Sequence, residues 1–311
     1  LSWIRTATCG GFGAAATASK IMGLTGEQTW NALGIVYSQI SGNAQGLVEG
    51  CLSKRLQPGF AASAGVLAAY LARQGITGSH KFLTGKYGFY SLYEHGSYHS
   101  ERILERIEDH CTIKDLSIKP YPSCRMTHSS IDAAIALRKY IKSWKDIEKV
   151  EISVSSMVAE MVGKPFYIGD NPQVDAQFSI PYTISCAIIR GDVFLSDFET
   201  DKIYDHAVKK LADRVFVYAD RTLPEKDIFQ SNVTISNADG QKLSEHVSIP
   251  RGNPQNPMSY EQCIEKFRKC LEYSGLSISS TDRDTVVSMI EDLENVSSVR
   301  DLIRKINDFS L

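Results

Sequence analysis

The sequence predicts a two-domain protein: a large all-α helical domain, discontinuous along the chain, and a smaller α+β domain inserted into it. Three observations carry this prediction. Residues 1–115 repeat apolar and alanine positions at helical spacing. Residues 116–250 mix helical stretches with short segments that alternate apolar and polar. Residues 251–311 return to helix, so the tail is expected to pack back on the first stretch.

Within the first region, Gly13 to Leu24 is Ala-rich and reads as a helix ending near Gly23 and Gly26. Thr25-Gly-Glu-Gln28 matches a capping box ahead of Trp30, Leu33 and Val36. Ser63 to Gln74 places Val66, Leu67, Tyr70 and Leu71 among alanines at helical spacing. Small residues let helices approach closely, so a tightly packed helical core is expected. Thr84 to Tyr98, rich in glycine, serine and tyrosine, reads as a connection.

In the middle region, Lys149 to Ser155 alternates Val150, Ile152 and Val154 with Glu151 and Ser153, the period of a half-buried strand. Val215 to Tyr218 is a second candidate strand. Asn232 to Ser236 and Gln241 to Ile249 flank Asn237-Ala-Asp-Gly240 and read as a hairpin. Helical patterns cover Ile131 to Ile141, Ala176 to Ile189 and Lys202 to Leu211. Gly252-Asn-Pro-Gln-Asn-Pro257 is a turn-rich hinge. Ser259-x-x-Gln262 then caps a helix carrying Cys263, Phe267, Cys270 and Leu271. Two further helices are expected near Asp282 to Asn295 and Val299 to Phe309.

Composition excludes several function classes. A formal net charge of -2 over 311 residues gives no long-range attraction to nucleic acid or to an anionic membrane. No apolar run reaches the roughly 18–20 residues of a membrane span. The seven cysteines form no CxxC pair, so neither a zinc ribbon nor a thioredoxin-type motif is supported. Reduced thiols in a cytoplasmic compartment are the simplest reading. The chain opens on Leu1 in a patterned segment, which suggests an N-terminally truncated sequence.

Among the motifs, Gly11-Phe-Gly13-Ala-Ala-Ala16 fits a degenerate dinucleotide fingerprint. No good strand precedes it and no acid follows at the required distance, so it reads as glycines that let helices pack. His95 and His99 lie in a glycine-rich segment and read as surface histidines, with no metal site expected. Ser53-Lys54-Arg55-Leu56-Gln57-Pro58-Gly59 puts two cations ahead of a helix start, whose amides also favour anions. Against this stands a plain solvated basic loop.

The sharpest segment is Lys119-Pro120-Tyr121-Pro122-Ser123-Cys124-Arg125-Met126-Thr127-His128. Its prolines stiffen the chain. It then delivers cations, hydroxyls and an imidazole to the start of a helix, a combination suited to a polyanion. A domain-crossing loop with a capping serine and a structural histidine is the alternative, and the residues alone leave the two even.

At this point a resemblance becomes specific. KPYPSCRMTHSSIDAA looks like the signature stretch of the MmgE/PrpD family. KRLQPGFAASAGVLAAYLA resembles the family's helix after a Lys-x-Leu-His-x-Gly turn, with Gln57 where His is usual. DAQFSIPYTISCAIIRGDV resembles its Asp-x-x-Phe-Ser-x-Pro-Tyr helix, and GNPQNPMSYEQCIEKFRKC its domain-return segment. The blocks follow the family's order over nearly the whole chain.

The resemblance implies an all-α domain with a smaller α+β lid and a site in the cleft between them. It implies chemistry without metal or organic cofactor, and a homodimer. The implied function is a lyase acting on a small polycarboxylate, most simply dehydration of a 2-methylcitrate-like substrate. Decarboxylation or epimerisation on the same scaffold, with a cis-aconitate- or iminodisuccinate-like substrate, is the alternative, as is an impaired binding relative. Lys119 and His128 are implied as catalytic. Lys54, Arg125, Thr127, Gln177, Ser179 and Tyr182 are implied as substrate-binding. Two departures stand out: Ile4 follows Trp3 where the family usually has His, and family members begin about one domain's length earlier.

Overall fold

The structure, a computed structural model, describes residues 3–99, 101 and 111–310, without the side chains of Leu47 and Ser310. Residues 102–110, read from the sequence as the end of the first helical region, lie outside this set. The chain divides into two compact units, Leu1–Cys111 and Thr112–Leu311.

The first unit is built on three helices, Gly10–Ile21, Gly26–Tyr37 and Ser53–Arg73, each packed against the other two. Close approach comes from small residues, as expected. A Cβ on Gly65 would sit 2.5 Å from Ala14 Cβ, and one on Gly11 would sit 2.8 Å from Ile40 Cγ2. Gly11 therefore packs helices, and the dinucleotide reading falls away, since Gly11 and Gly13 lie inside the helix rather than before it. The Thr25–Gln28 capping box forms in both directions.

Two boundaries differ from expectation. The helix read from Ser63 begins at Ser53 and runs through Pro58. Proline in the second turn removes one backbone bond and does not end the helix. Lys54 and Arg55 thus stand inside its first turn, not ahead of it. The connection at 84–98 also holds a short helix, Phe89–Tyr93, in which Tyr90 stacks on Tyr98, Phe89 meets Phe12 edge-on and Tyr93 lies tilted against Trp3.

The second unit is a four-stranded sheet covered by helices. Strands β1 (Ile147–Val154), β2 (Val215–Ala219), β3 (Ser231–Asn237) and β4 (Lys242–Val247) lie in the order β2-β1-β3-β4. β1 runs parallel to β2 and antiparallel to β3, which pairs antiparallel with β4. Ile147, Val150, Ile152 and Val154 all face the core, the odd spacing at the start being absorbed by a register shift between Ile147 and Lys149. The hairpin closes as the sequence predicts, with Gly240 at φ +84°.

Helices His128–Arg138 and Ile180–Arg190 pack together over this core. The single helix expected over Ala176 to Ile189 is two, Pro172–Gln177 and Ile180–Arg190. Ser179 breaks the run by capping the second helix, where Pro181 fills an early position that needs no amide donor. Lys202 to Leu211 is likewise split at Asp205, which caps His206–Ala212.

The Ser259–Gln262 capping box starts the helix Tyr260–Tyr273. Expectation attached residues 251–311 to the all-α domain. In the structure this helix joins the second unit through Lys269 to Asp192 at 3.3 Å and Tyr273 edge-on to Phe194. Helices Ser280–Glu291 and Val299–Asn307 follow. No helix among the described residues is long and apolar enough to cross a membrane.

Candidate active site

The site of the second unit starts from the stiff run Lys119–His128. Pro120 and Pro122 stiffen it as it bends over 120–123 into the turn Arg125–Thr127, and its backbone is tied down on two sides. Ile118 N–H donates to the Gly252 carbonyl at 2.8 Å, and Cys124 N–H donates to the Gln177 carbonyl at 2.9 Å. The first contact needs glycine. Gly252 adopts φ +81°, and a Cβ there would meet the Ile118 carbonyl oxygen at 2.0 Å. The turn read as a hinge is therefore a dock for the site segment.

His128 opens its helix and is fully buried. Its Nδ1 lies 3.1 Å from Arg125 Nη1. A guanidinium only donates, so Nδ1 is the acceptor and the ring proton sits on Nε2. Burial first, then the positive charges of Arg125, Lys119 and Lys266, push the imidazole down to about 3. The Ser123 carbonyl, which favours a protonated ring, pulls weakly the other way. His128 is thus a neutral hydrogen-bond donor at neutral pH.

Arg125 is held by one nitrogen only. Nη1 donates to His128 Nδ1 and to the Arg251 carbonyl, both at 3.1 Å. Nε and Nη2 are buried and meet no acceptor among the described residues. These two nitrogens form the side-on edge of the guanidinium, the edge that grips a carboxylate with two parallel hydrogen bonds. His128 Nε2 and Arg251 Nε are buried and without an acceptor as well. Orphaned buried donors of this kind are rare. Here they are concentrated in one cationic cluster, and burial lowers the Arg125 pKa from its ordinary value.

The other expected residues fall into distinct places. Lys119 Nζ donates to the Ser123 carbonyl at 2.9 Å, beside the cluster. Thr127 is buried, donating to the Cys124 carbonyl at 2.9 Å and accepting from Ser123 Oγ at 2.8 Å, so its hydroxyl is spent on the turn. Gln177 meets the segment through its backbone carbonyl. Ser179 is a helix cap. Tyr182 is fully buried between Phe166 and Phe198, its hydroxyl donating to the Asp197 carbonyl, which makes it a core residue rather than one facing a substrate. Lys54 belongs to the first unit, in the first turn of Ser53–Arg73, a position where a nearby anion is favoured by the helix end. Ile4 and Gln57 belong to that unit too; Gln57 Nε2 donates to the Asn43 carbonyl at 3.0 Å.

Sequence reasoning missed Tyr121, Asp132 and Arg251 as parts of this site. Tyr121 is buried, and its hydroxyl donates to Asp132 Oδ1 at 2.6 Å while accepting from Arg251 Nη2 at 2.9 Å. The available signal was an arginine flanked by proline and glycine in Pro250-Arg251-Gly252, easily read as a solvated hinge charge.

The chain matches two domain models of one family. The MmgE/PrpD N-terminal domain covers residues 1–101, and the MmgE/PrpD C-terminal domain covers residues 121–292. It is 26% identical over 302 residues to a human cis-aconitate decarboxylase, covering 94% of this chain and 60% of that protein. It is 25% identical to a cis-aconitate decarboxylase-like protein of Aspergillus oryzae, over 94% of this chain and 63% of that one. It is 27% identical to the cis-aconitate decarboxylase of Aspergillus terreus, over 90% of this chain and 59% of that one. The chain thus spans about three-fifths of the length of these relatives. With both domain models matched in order, and the buried Arg125–His128 cluster lying in the stretch that begins the second of them, this chain belongs to the MmgE/PrpD family.

Proposed function

We propose that this protein takes part in lyase chemistry on a small polycarboxylate, with decarboxylation of a cis-aconitate-like tricarboxylate as the leading reading. The observation that carries it is the unpaired side-on edge of Arg125, buried beside a neutral His128 and flanked by Lys119 and Arg251. A carboxylate laid on that edge would satisfy both orphaned nitrogens. A second carboxylate of the same molecule would meet Lys119 or the Arg251 guanidinium. The names of the relatives supply the substrate class.

In such a reaction the bond from carbon to the departing carboxylate breaks and CO2 leaves. The electron pair spreads into the double bond conjugated with a retained carboxylate, and a proton then adds to carbon. Negative charge grows next to the retained carboxylate, where fixed cations stabilise it most. Bound anions offset the charges of Arg125 and Lys119, which hold the imidazole down, so His128 becomes more basic with substrate in place. Its Nδ1 still accepts from Arg125, so what it offers the substrate is the Nε2–H, which donates to the retained carboxylate, while the proton added to carbon comes from solvent.

Dehydration of a 2-methylcitrate-like substrate is the second reading, drawn from the family resemblance. It needs an acid to protonate the leaving hydroxide, and the names of the relatives favour the first reading. Proton NMR in D2O of the protein with cis-aconitate, citrate and 2-methylcitrate, chelator present, tests both. CO2 loss supports decarboxylation, water loss supports dehydration, and deuterium exchange at carbon alone points to an epimerase. A folded protein that neither binds nor alters any of them would overturn the proposal.

A further inference from the structure

The Arg125–His128 pair is itself held by groups that a substrate has no need to touch. Asp132 lies four residues after His128 on the same helix, so both project from one face. Both of its carboxylate oxygens are spent on the protein. Oδ1 accepts from the Tyr121 hydroxyl at 2.6 Å, and Oδ2 accepts from the Arg251 backbone amide at 2.8 Å. The Tyr121 oxygen in turn accepts from Arg251 Nη2 at 2.9 Å, and the Arg251 guanidinium lies over the Tyr121 ring, 5.4 Å from its centroid. The same ring meets His128 edge-on, with centroids 5.2 Å apart.

The circuit closes through Arg125, whose Nη1 is shared between the Arg251 carbonyl and His128 Nδ1. Every link from Asp132 round to His128 is therefore a named contact. Tyr121 and Arg251, some 130 residues apart, meet directly and are tied a second time by Asp132, which accepts from the hydroxyl of one and the backbone amide of the other. We propose that Asp132, acting through Tyr121 and Arg251, is a positioning residue that fixes the open edge of Arg125 and the Nε2–H tautomer of His128. The substrate side of this inference rests on the polycarboxylate reading above; the tautomer side does not.

The alternative for Asp132 is a simple counter-charge among cations, and the two roles predict opposite signs. Asp132→Asn removes a negative charge, so a counter-charge role predicts tighter binding of a polyanion. Asparagine offers one acceptor oxygen and one donor, and cannot accept from both Tyr121 and the Arg251 amide. A positioning role therefore predicts weaker binding. Tyr121→Phe breaks the same circuit while leaving the Asp132 charge and the buried ring in place.

The test uses the full chain with two readouts. Calorimetric titration with cis-aconitate is expected to show at least a tenfold loss of affinity in Asp132→Asn and in Tyr121→Phe. The double variant should lose little more than the worse single one, because both act on one circuit. Nitrogen-15 NMR of the imidazoles, without ligand, is expected to show His128 as a single Nε2–H tautomer in the wild type and as a mixture in either variant. Tighter or unchanged binding in folded Asp132→Asn would overturn the proposal, as would an unchanged tautomer in both variants. If the wild type binds no polycarboxylate, the functional reading fails, and the imidazole signals alone decide this one.

Discussion

His128 gives the structure a stability that depends on pH, and its size can be worked out. The folded ring is held down to about 3, while an unfolded histidine titrates near 6.5. Between those values the unfolded chain binds a proton that the folded one refuses. Stability is therefore full above about pH 6.5 and is lost as pH falls towards 3. At pH 5.5 the unfolded ring is protonated about tenfold over neutral, which favours unfolding by RT ln 11, about 1.4 kcal/mol. The perturbation is His128→Gln, which keeps an acceptor for Arg125 and does not titrate. Urea unfolding at pH 7.5 and 5.5, followed by amide exchange in the helix His128–Arg138, gives the opening free energy of each protein. The wild type should lose about 1.4 kcal/mol more than the variant between the two pH values. Equal losses would mean that the buried ring accepts a proton as easily as a free one, and would refute the argument.

Other predictions follow from single contacts. Gly252→Ala places a Cβ 2.0 Å from the Ile118 carbonyl oxygen at φ +81°, so it should cost more than about 2 kcal/mol in urea unfolding and weaken polycarboxylate binding together. Ser179→Ala removes a helix cap and should cost about 1 kcal/mol in the same assay while leaving affinity within twofold. Arg190 bonds Asp197 at 2.5 Å and Asp205 at 2.9 Å, and Asp197 is nearly buried. Arg190→Ala should therefore cost several kcal/mol, read as a drop in Tm, whereas Lys202→Ala, facing solvent beside Asp201, should change Tm by under a degree or so.

The sheet was legible because its chemistry is local. Val150, Ile152 and Val154 alternate with polar residues, and Asp239-Gly240 marks the hairpin turn. Both capping boxes, at Thr25 and Ser259, were also readable, since each needs only residues three apart. Two helix boundaries differ from expectation, each near a proline and in opposite senses. Pro58 sits inside a helix, where it costs one bond, and Pro181 starts a helix within an apolar run that looked continuous.

For the site, the segment from Lys119 to His128 announced itself by packing cations, hydroxyls and an imidazole between prolines and a helix. What it did not announce was how those groups are used. Thr127 spends its hydroxyl on the turn, and Tyr182 spends its own on the Asp197 carbonyl. Arg251 and Asp132 give only weak local signals, because their meaning lies in contacts across more than a hundred residues.

On the function proposed above, the Arg125 edge and His128 Nε2 together receive a substrate carboxylate. The most direct measurement is a titration of nitrogen-15-labelled protein with cis-aconitate, following the Arg125 Nε–H and His128 Nε2–H signals. Both are expected to move downfield together, saturate with one affinity and become protected from solvent exchange. Saturable binding that leaves both signals where they were would place the carboxylate elsewhere and contradict it.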